Sequence, residues 1–130
     1  MSRKPRVANP SDPVLWCKEA AGLMARGDEK GAIFCYQESV KLRPGVSDVW
    51  YNLALLFEKN GERKEALATH ITAGKLFPGD HRFPAERARL LAESGNYSEA
   101  VAAASDALLI SPHSPTLLAN KAGYLIFADD

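Results

Sequence analysis

Apolar residues recur along the chain at helical spacing, in stretches that end at polar turn residues. In residues 14–26 and 47–60 the apolar positions lie three and four residues apart, and Leu53, Ala54 and Phe57 form one stripe. This spacing predicts amphipathic helices there. Comparable apolar stretches predict further helices at 32–40, 66–76 and 100–108.

Several residue types recur every 34 residues, which indicates structural repeats. Independent series with one period do not arise easily by chance. The series are Pro44, Pro78 and Pro112; Gly27, Gly61 and Gly95; Ala32, Ala66 and Ala100; and Ala20, Ala54, Ala88 and Ala122. Each period therefore predicts one helical hairpin.

The boundaries of the helices follow from these series. The glycines lie where a first helix must end, because glycine tolerates a left-handed closing residue. The prolines stop the second helix, because proline cannot continue a helix without losing a hydrogen bond. Three polar residues have the character of helix starts: Asp12 before Pro13, Asn96 with Glu99 three residues on, and Ser114 before Pro115.

The recurring alanines predict close contacts between helices. Ala20, Ala54 and Ala88 lie on first helices, and their partners Ala32, Ala66 and Ala100 lie on second helices. A small side chain lets two helix axes approach closely, and leucine at such a contact would cost about 1–3 kcal/mol.

This pattern resembles the tetratricopeptide repeat, a 34-residue helix–turn–helix unit. We assign repeats to 13–46, 47–80 and 81–114 of one domain, 13–130, with an additional helix at 115–128. The resemblance implies an all-α fold, a right-handed superhelical array of three hairpins with a C-terminal seventh helix. Residues 47–80 match the family best, through Trp50, Leu53, Ala54, Phe57, Gly61, Ala66, Ala73 and Pro78.

The third repeat departs from the family pattern at its first helix. Pro84 replaces the early tryptophan, and Arg87 replaces the leucine. Because proline fits only the first turn of a helix, we expect the fifth helix to begin near Pro84, after a long loop at 79–83.

Two end segments differ in polarity. Residues 1–12 are polar and basic and have little to bury, so we expect a disordered tail. The helix at 115–128 instead carries large apolar residues where a terminal helix should be polar. They suggest weak self-association through Leu117, Tyr124, Ile126 and Phe127.

Charge and hydropathy limit the class of partner. Sixteen basic and sixteen acidic residues give a formal net charge of zero, which argues against a nucleic-acid partner, although related 35-residue helical repeats bind RNA. No apolar run is long enough for a membrane span, and no signal-peptide core follows Arg3, Lys4 and Arg6. We expect a cytoplasmic protein without a membrane partner.

No arrangement of residues typical of catalysis or of a cofactor is present in the sequence. The three histidines lie far apart, and His70 takes the repeat position of Tyr36, so a packed side chain is expected there. Cys17 and Cys35 match no metal-ligand spacing and are expected to be reduced. We therefore predict no enzyme activity, catalytic residue, metal or cofactor.

The resemblance implies a groove lined by the first helix of each hairpin. The family's outward positions correspond here to residues on three helices, of which we select as peptide-binding Lys18, Tyr51, Asn52, Leu55, Lys59, Arg82 and Arg89. Their cations would favour an acidic ligand or a terminal carboxylate. The acidic residues Asp48, Glu86 and Glu93 would weaken that preference.

These positions can be compared with those of family members that bind one known class of ligand. Members that hold the C-terminal carboxylates of heat-shock chaperones need basic and amide groups where this chain has Cys17, Ala21 and Glu86. Only Asn52 fits, and Arg82 is an acceptable substitute. That chaperone role is therefore not favoured.

Two functions remain. The leading hypothesis is a protein–protein interaction module that binds an extended peptide segment of a partner in its groove. The alternative is a structural unit that self-associates, or the end fragment of a longer array.

Overall fold

The computed structural model describes residues 4–128. This part of the chain contains seven α-helices of 12–14 residues and no strand, which confirms the all-α prediction. The helices account for more than two-thirds of the chain, and their bounds are α1 Pro13–Ala25, α2 Glu29–Leu42, α3 Ser47–Lys59, α4 Arg63–Leu76, α5 Arg82–Glu93, α6 Tyr97–Ile110 and α7 Pro115–Ala128.

The helices belong to two compact units that divide within α4. The first unit runs through Thr69 and the second begins at His70. In the first unit α2 packs against both α1 and α3, and in the second unit α6 packs against both α5 and α7. None of the helices in residues 4–128 has the length and apolar character that a bilayer crossing needs.

The predicted helix stops are confirmed. The three period-related glycines follow α1, α3 and α5, and their φ angles of 79°, 82° and 83° lie in the left-handed region. Each proline of the series lies two residues beyond a second helix, after Leu42, Leu76 and Ile110.

Two of the three predicted helix starts use their side chains as caps. Asp12 Oδ1 accepts a hydrogen bond from the amide of Val14 at 2.9 Å, and Ser114 Oγ accepts one from Leu117 at 3.3 Å. Asn96 occupies the N-cap position of α6, but its side chain makes no capping hydrogen bond.

The fifth helix begins earlier than predicted. It starts at Arg82, two residues before Pro84, and the connection that precedes it is 77–81 instead of a loop through residue 83. Pro84 is the third helical residue, where an amide would have no intrahelical partner, so the proline costs no hydrogen bond. The first i to i−4 bond joins Ala85 to His81 at 3.1 Å.

Residues 9–12 form a turn that is tied to α1. The Trp16 indole donates to the Pro10 carbonyl at 2.9 Å, and Trp50, one period later, donates to the Pro44 carbonyl at 2.8 Å. The disorder expected for 1–12 therefore does not extend to residues 9–12. Residues 1–3 lie outside the described part.

Small residues lie at the helix contacts, as predicted. Ala20, Ala32, Ala54, Ala66, Ala88 and Ala100 are all 0–1% exposed. The fourth member of the first series, Ala122 on α7, is exposed. In the described chain α7 has no following helix to cover this position.

The apolar residues of α7 are only partly exposed, which corrects one expectation. Leu117 is buried at 6% exposure and Tyr124 is half-buried, whereas Ile126 and Phe127 are 75% and 56% exposed. Leu117 lies near the start of α7, which packs along α6, so this side chain cannot contribute to a self-association surface.

Both cysteines are free thiols. Cys35 is completely buried in α2, and burial together with nearby carboxylates raises its pKa from 9.0 to about 11. Cys17 is half-buried, with Sγ 3.2 Å from Ser39 Oγ, and the Ser39 hydroxyl donates to the Pro13 carbonyl.

We predict that Ala88→Leu destabilises the chain by about 1–3 kcal/mol, because the larger side chain overpacks the α5–α6 contact. The matched control is Ala122→Leu, which makes the same change at the same repeat position on an exposed surface. It should shift the free energy of unfolding by no more than about 0.5 kcal/mol. Urea unfolding followed by circular dichroism measures the free energy of unfolding of both variants. Equal losses of stability in the two variants would contradict a close helix contact at Ala88.

We also predict that iodoacetamide labels the folded chain at Cys17 and spares Cys35, since the thiolate is the reactive form. The stability gained by keeping the Cys35 thiol protonated is complete below pH 9 and is lost as the pH rises through about 11. Mass spectrometry should find one label in the folded chain near pH 8.5 and two in urea. Rapid labelling of Cys35 in the folded chain would contradict its burial.

Candidate functional site

In the first unit, the predicted face of α3 points away from the core. Asn52 and Lys59 are exposed, and Tyr51 and Leu55 are half-buried beside them. The four positions share one side of the helix through three- and four-residue spacing. Lys18, on α1, is also exposed.

The side chain of Asn52 lies near Tyr36 of α2, a residue that is only 7% exposed. Burial raises the pKa of Tyr36, and the nearby Asn52 amide partly opposes that change. An amide has two donors and an acceptor with two lone pairs, so the exposed Asn52 has capacity for a ligand backbone.

Three of the four cations of the predicted site, Lys59, Arg82 and Arg89, have anionic partners close by. Lys59 Nζ lies 4.0 Å from Glu29 Oε1 in the first unit. In the second unit Arg82 binds both carboxylate oxygens of Asp80, at 2.8–3.2 Å, and these hydrogen bonds hold the pKa of Asp80 below its usual value. Arg82 is therefore paired with a carboxylate two residues before it, and an acidic ligand stays a prediction.

Arg89 is paired most fully. Its guanidinium lies between two carboxylates of the same helix, 2.9 Å from Glu86 Oε2 and 2.8 Å from Glu93 Oε2. All three side chains are at most 41% exposed. The group carries one positive and two negative charges.

A cleft of about 490 Å³ lies between α5 and α7 in the second unit. It is lined by Arg89, Tyr97, Asn120, Gly123, Tyr124 and Phe127. Asn120 and Gly123 were not among the site residues predicted from the sequence, and Tyr124 and Phe127 were predicted only as self-association residues. The 34-residue period could have identified Asn120 and Phe127, which lie two periods after Asn52 and Lys59.

Other cavities lie on the second helices. One of about 420 Å³ in the first unit is lined by Gln37, Lys41, Trp50 and Thr69. Trp50, which precedes the stripe Leu53, Ala54 and Phe57 on α3, is half-buried at its wall. In the second unit His70 is 1% exposed and contacts the Phe83 ring, as expected for a packed histidine.

Within residues 4–128, no three histidine, cysteine or carboxylate side chains converge as metal ligands.

No family model and no curated protein matches the chain. Solved structures do. MamA superposes with a TM-score of 0.78 at 17% identity over 92% of this chain, which spans 66% of the length of the MamA chain. The Yersinia enterocolitica type III secretion chaperone SycD, in complex with a peptide of the translocator YopD, gives 0.69 at 17% identity, covering 88% of this chain and 87% of SycD.

A third structure is the second TPR domain of human RPAP3, in complex with the HSP70 peptide SGPTIEEVD. It gives a TM-score of 0.74 at 19% identity, covering 90% of this chain and 98% of that domain. At this identity the likeness concerns the fold, and it agrees with the 34-residue period, the left-handed glycines and the buried alanines. The chain therefore has the fold of a tetratricopeptide-repeat domain.

Proposed function

We propose that the chain is a non-catalytic protein–protein interaction module that binds an extended peptide segment of a partner. The peptide binds on the exposed faces of the first helices. In the first unit these carry Lys18, Tyr51, Asn52, Leu55 and Lys59, and in the second unit Arg82 and Arg89. A cytoplasmic location stays a prediction from the sequence.

The observation that carries the proposal is the cleft between α5 and α7. It is built from repeat positions that are equivalent to the face predicted on α3. Asn120 corresponds to Asn52, Arg89 and Gly123 to Leu55, and Phe127 to Lys59. A concave surface with apolar walls and a few polar groups is typical of a ligand site.

Two of the similar structures support a peptide as ligand. SycD is in complex with a YopD peptide, and the RPAP3 domain is in complex with an HSP70 peptide. The chemistry of the faces agrees with a peptide, because an amide such as Asn52 can bond both a backbone N–H and a backbone C=O. A small interface of this kind supports an affinity near the micromolar range, about −8 kcal/mol.

We predict that Asn52→Ala weakens binding of the peptide segment by about 1–3 kcal/mol, because a hydrogen bond to the backbone of the segment is lost. The segment is obtained by pull-down from the source cell followed by cross-linking and mass spectrometry. Calorimetry with the corresponding synthetic peptide gives the dissociation constants of the variants.

Two variants control for structural effects. Tyr36→Phe removes the phenol oxygen near Asn52 and leaves the amide in place, so it should preserve or strengthen binding. Gln37→Ala changes a second helix only and should have no effect. If Gln37→Ala loses binding and Asn52→Ala does not, the peptide binds at the cavity lined by Gln37, Lys41, Trp50 and Thr69 instead.

A self-associating structural unit is the second candidate, and the exposed side of α7 favours it. Leu118, Ala122 and Leu125 repeat the positions of Trp16, Ala20 and Leu23, which are buried in the α1–α2 hairpin. On α7 the two leucines are each 49% exposed, and the adjacent Ile126 is 75% exposed. Contiguous apolar surface of this kind marks an association site.

We predict that Leu118→Lys abolishes concentration-dependent sedimentation, because a charge would have to be buried in the contact. Leu109→Lys is the matched control, since Leu109 is an isolated exposed leucine on α6, 83% exposed. It should leave sedimentation unchanged. A chain that sediments as a strict monomer at high concentration would exclude this candidate.

A further inference from the structure

We propose that the cleft between α5 and α7 binds an aromatic side chain of the peptide, with its ring lying over Gly123. The inference rests on the proposed function, because it names the side chain by which a peptide is recognised at that site. Two observations carry it, the rings that line the cleft and the open space in front of a glycine within α7.

Three aromatic side chains line the cleft, and one of them is largely uncovered. The Tyr97 and Phe127 rings pack against each other, with centroids 5.1 Å apart and planes inclined by 31°. Phe127 nevertheless stays 56% exposed, and Tyr124 in the same cleft is half-buried. Aromatic rings prefer tilted or offset contacts at centroid distances of about 4.5–7 Å. A ligand ring can therefore extend this pair and cover the exposed part of Phe127.

The cleft also contains a glycine that the helix itself does not require. Gly123 lies within α7, where glycine lowers helix stability relative to alanine, and its φ is not in the left-handed region. A Cβ added there would meet no neighbouring side chain or helix of the described residues within 4 Å. Close packing of the described chain therefore does not account for the glycine, and its missing side chain leaves room for a ligand group.

The other helical glycines of the described chain differ from Gly123 in this respect. A Cβ on Gly31 would lie 2.6 Å from the Asp28 carboxylate, which accepts a hydrogen bond from the Gly31 amide as the N-cap of α2. A Cβ on Gly22 or Gly74 would contact a side chain at 3.8–3.9 Å. Gly123 is thus the helical glycine with open space in front of it, and that space belongs to the cleft.

A flat ring suits this cleft better than a branched aliphatic side chain. Ala92 of α5 and Ala119 of α7 line it together with Gly123, so the surface between the rings is built from short side chains. The volume of about 490 Å³ lies within the range of about 300–1,000 Å³ that is typical of ligand pockets. Contacts between rings add about twofold to tenfold in affinity beyond the effect of buried area, and an aliphatic side chain does not make them.

Polar groups of the cleft can hold the peptide backbone beside the ring. The exposed amide of Asn120 can donate to a backbone carbonyl and accept from a backbone N–H. Burial raises the pKa of Tyr124, so the phenol keeps its proton at physiological pH and can donate a hydrogen bond. Because backbone contacts accompany the ring, the ligand is a peptide with an aromatic residue and not an isolated aromatic molecule.

Nuclear magnetic resonance titration of the full chain tests the selection with three uncharged probes. They are the acetylated and amidated peptides SGPTFQQVN, SGPTLQQVN and SGPTAQQVN, which differ only at the fifth residue. Their frame is the peptide SGPTIEEVD of the RPAP3 complex, with amides in place of its carboxylates. Since no probe carries a charge, the comparison isolates the contribution of one side chain.

We expect the phenylalanine peptide to bind at least about threefold more tightly than the leucine peptide and at least about tenfold more tightly than the alanine peptide. Amide shifts should centre on Gly123, Tyr124 and Phe127. Nuclear Overhauser effects should connect the ring of the ligand with the α-protons of Gly123 and with the Phe127 ring.

Two substitutions separate the space at Gly123 from the ring beside it. Gly123→Leu fills the cleft and should weaken the phenylalanine peptide at least about tenfold, yet it should raise the melting temperature by about 2–5 °C, because leucine favours a helix more than glycine does. A role confined to the stability of α7 would not produce these opposite changes. Phe127→Leu keeps an apolar side chain and removes the ring, so it should abolish the preference for phenylalanine over leucine.

Ala122→Leu is the matched control for Gly123→Leu. It introduces the same side chain at the preceding residue of α7, which is exposed and does not line the cleft. It should leave the affinities of all three peptides unchanged. Circular dichroism confirms that each variant is folded.

The outcomes separate this inference from the proposed function. Equal or tighter binding of the leucine peptide overturns the aromatic site, as does normal binding of the phenylalanine peptide to Gly123→Leu, and both leave a peptide-binding module. Shifts centred on Asn52 and Leu55 overturn the role of the cleft, again without touching the module. Absence of shifts with all three probes overturns the inference, while a peptide captured from the source cell that still binds would keep the proposed function.

Discussion

Helix pairing in this chain depends on alanine at the points where two helices touch. Ala20 and Ala32 are fully buried in the first unit, and in the second unit Ala100 is fully buried and Ala88 is 1% exposed. Because a methyl group fills these contacts, neighbouring backbones lie close, and the larger residues around them interlock at high density. The left-handed glycines between the helices, such as Gly95, let the chain reverse within a few residues, so each hairpin can form this contact.

The same repeat position has different consequences on different helices. Ala88 is buried because α6 follows α5, whereas Ala122 is exposed because no described helix follows α7. The opposite side of α7 borders the cleft with α5, through Asn120 and Phe127. Helix α7 therefore carries both surfaces that we propose for association, one exposed and apolar and one concave and mixed. These are the surfaces on which the two candidate functions rest.

Charge pairing bears directly on the ligand that we propose for the first-helix faces. The sequence places cations at positions 59, 82 and 89, but Glu29, Asp80 and the two glutamates beside Arg89 lie within reach of them. A paired arginine attracts a ligand carboxylate less, since much of its field is already balanced. Amides and aromatic rings, as in Asn52, Asn120 and Tyr124, keep their capacity for a peptide, and they therefore carry most of the recognition that we propose.

The sequence by itself determined the seven helices, their glycine and proline ends and the buried alanines, because these depend on local backbone geometry and on a 34-residue period. It misplaced the start of α5 because the Asp80 side chain, which accepts from the Arg82 amide at 3.1 Å, supports a helix before Pro84. It also counted Leu117 among exposed residues. Only the tertiary structure decided which cations are paired, that Tyr36 lies near Asn52, and that α5 and α7 border a cleft. Those features depend on distances between side chains of different turns and helices, which a repeat pattern leaves open.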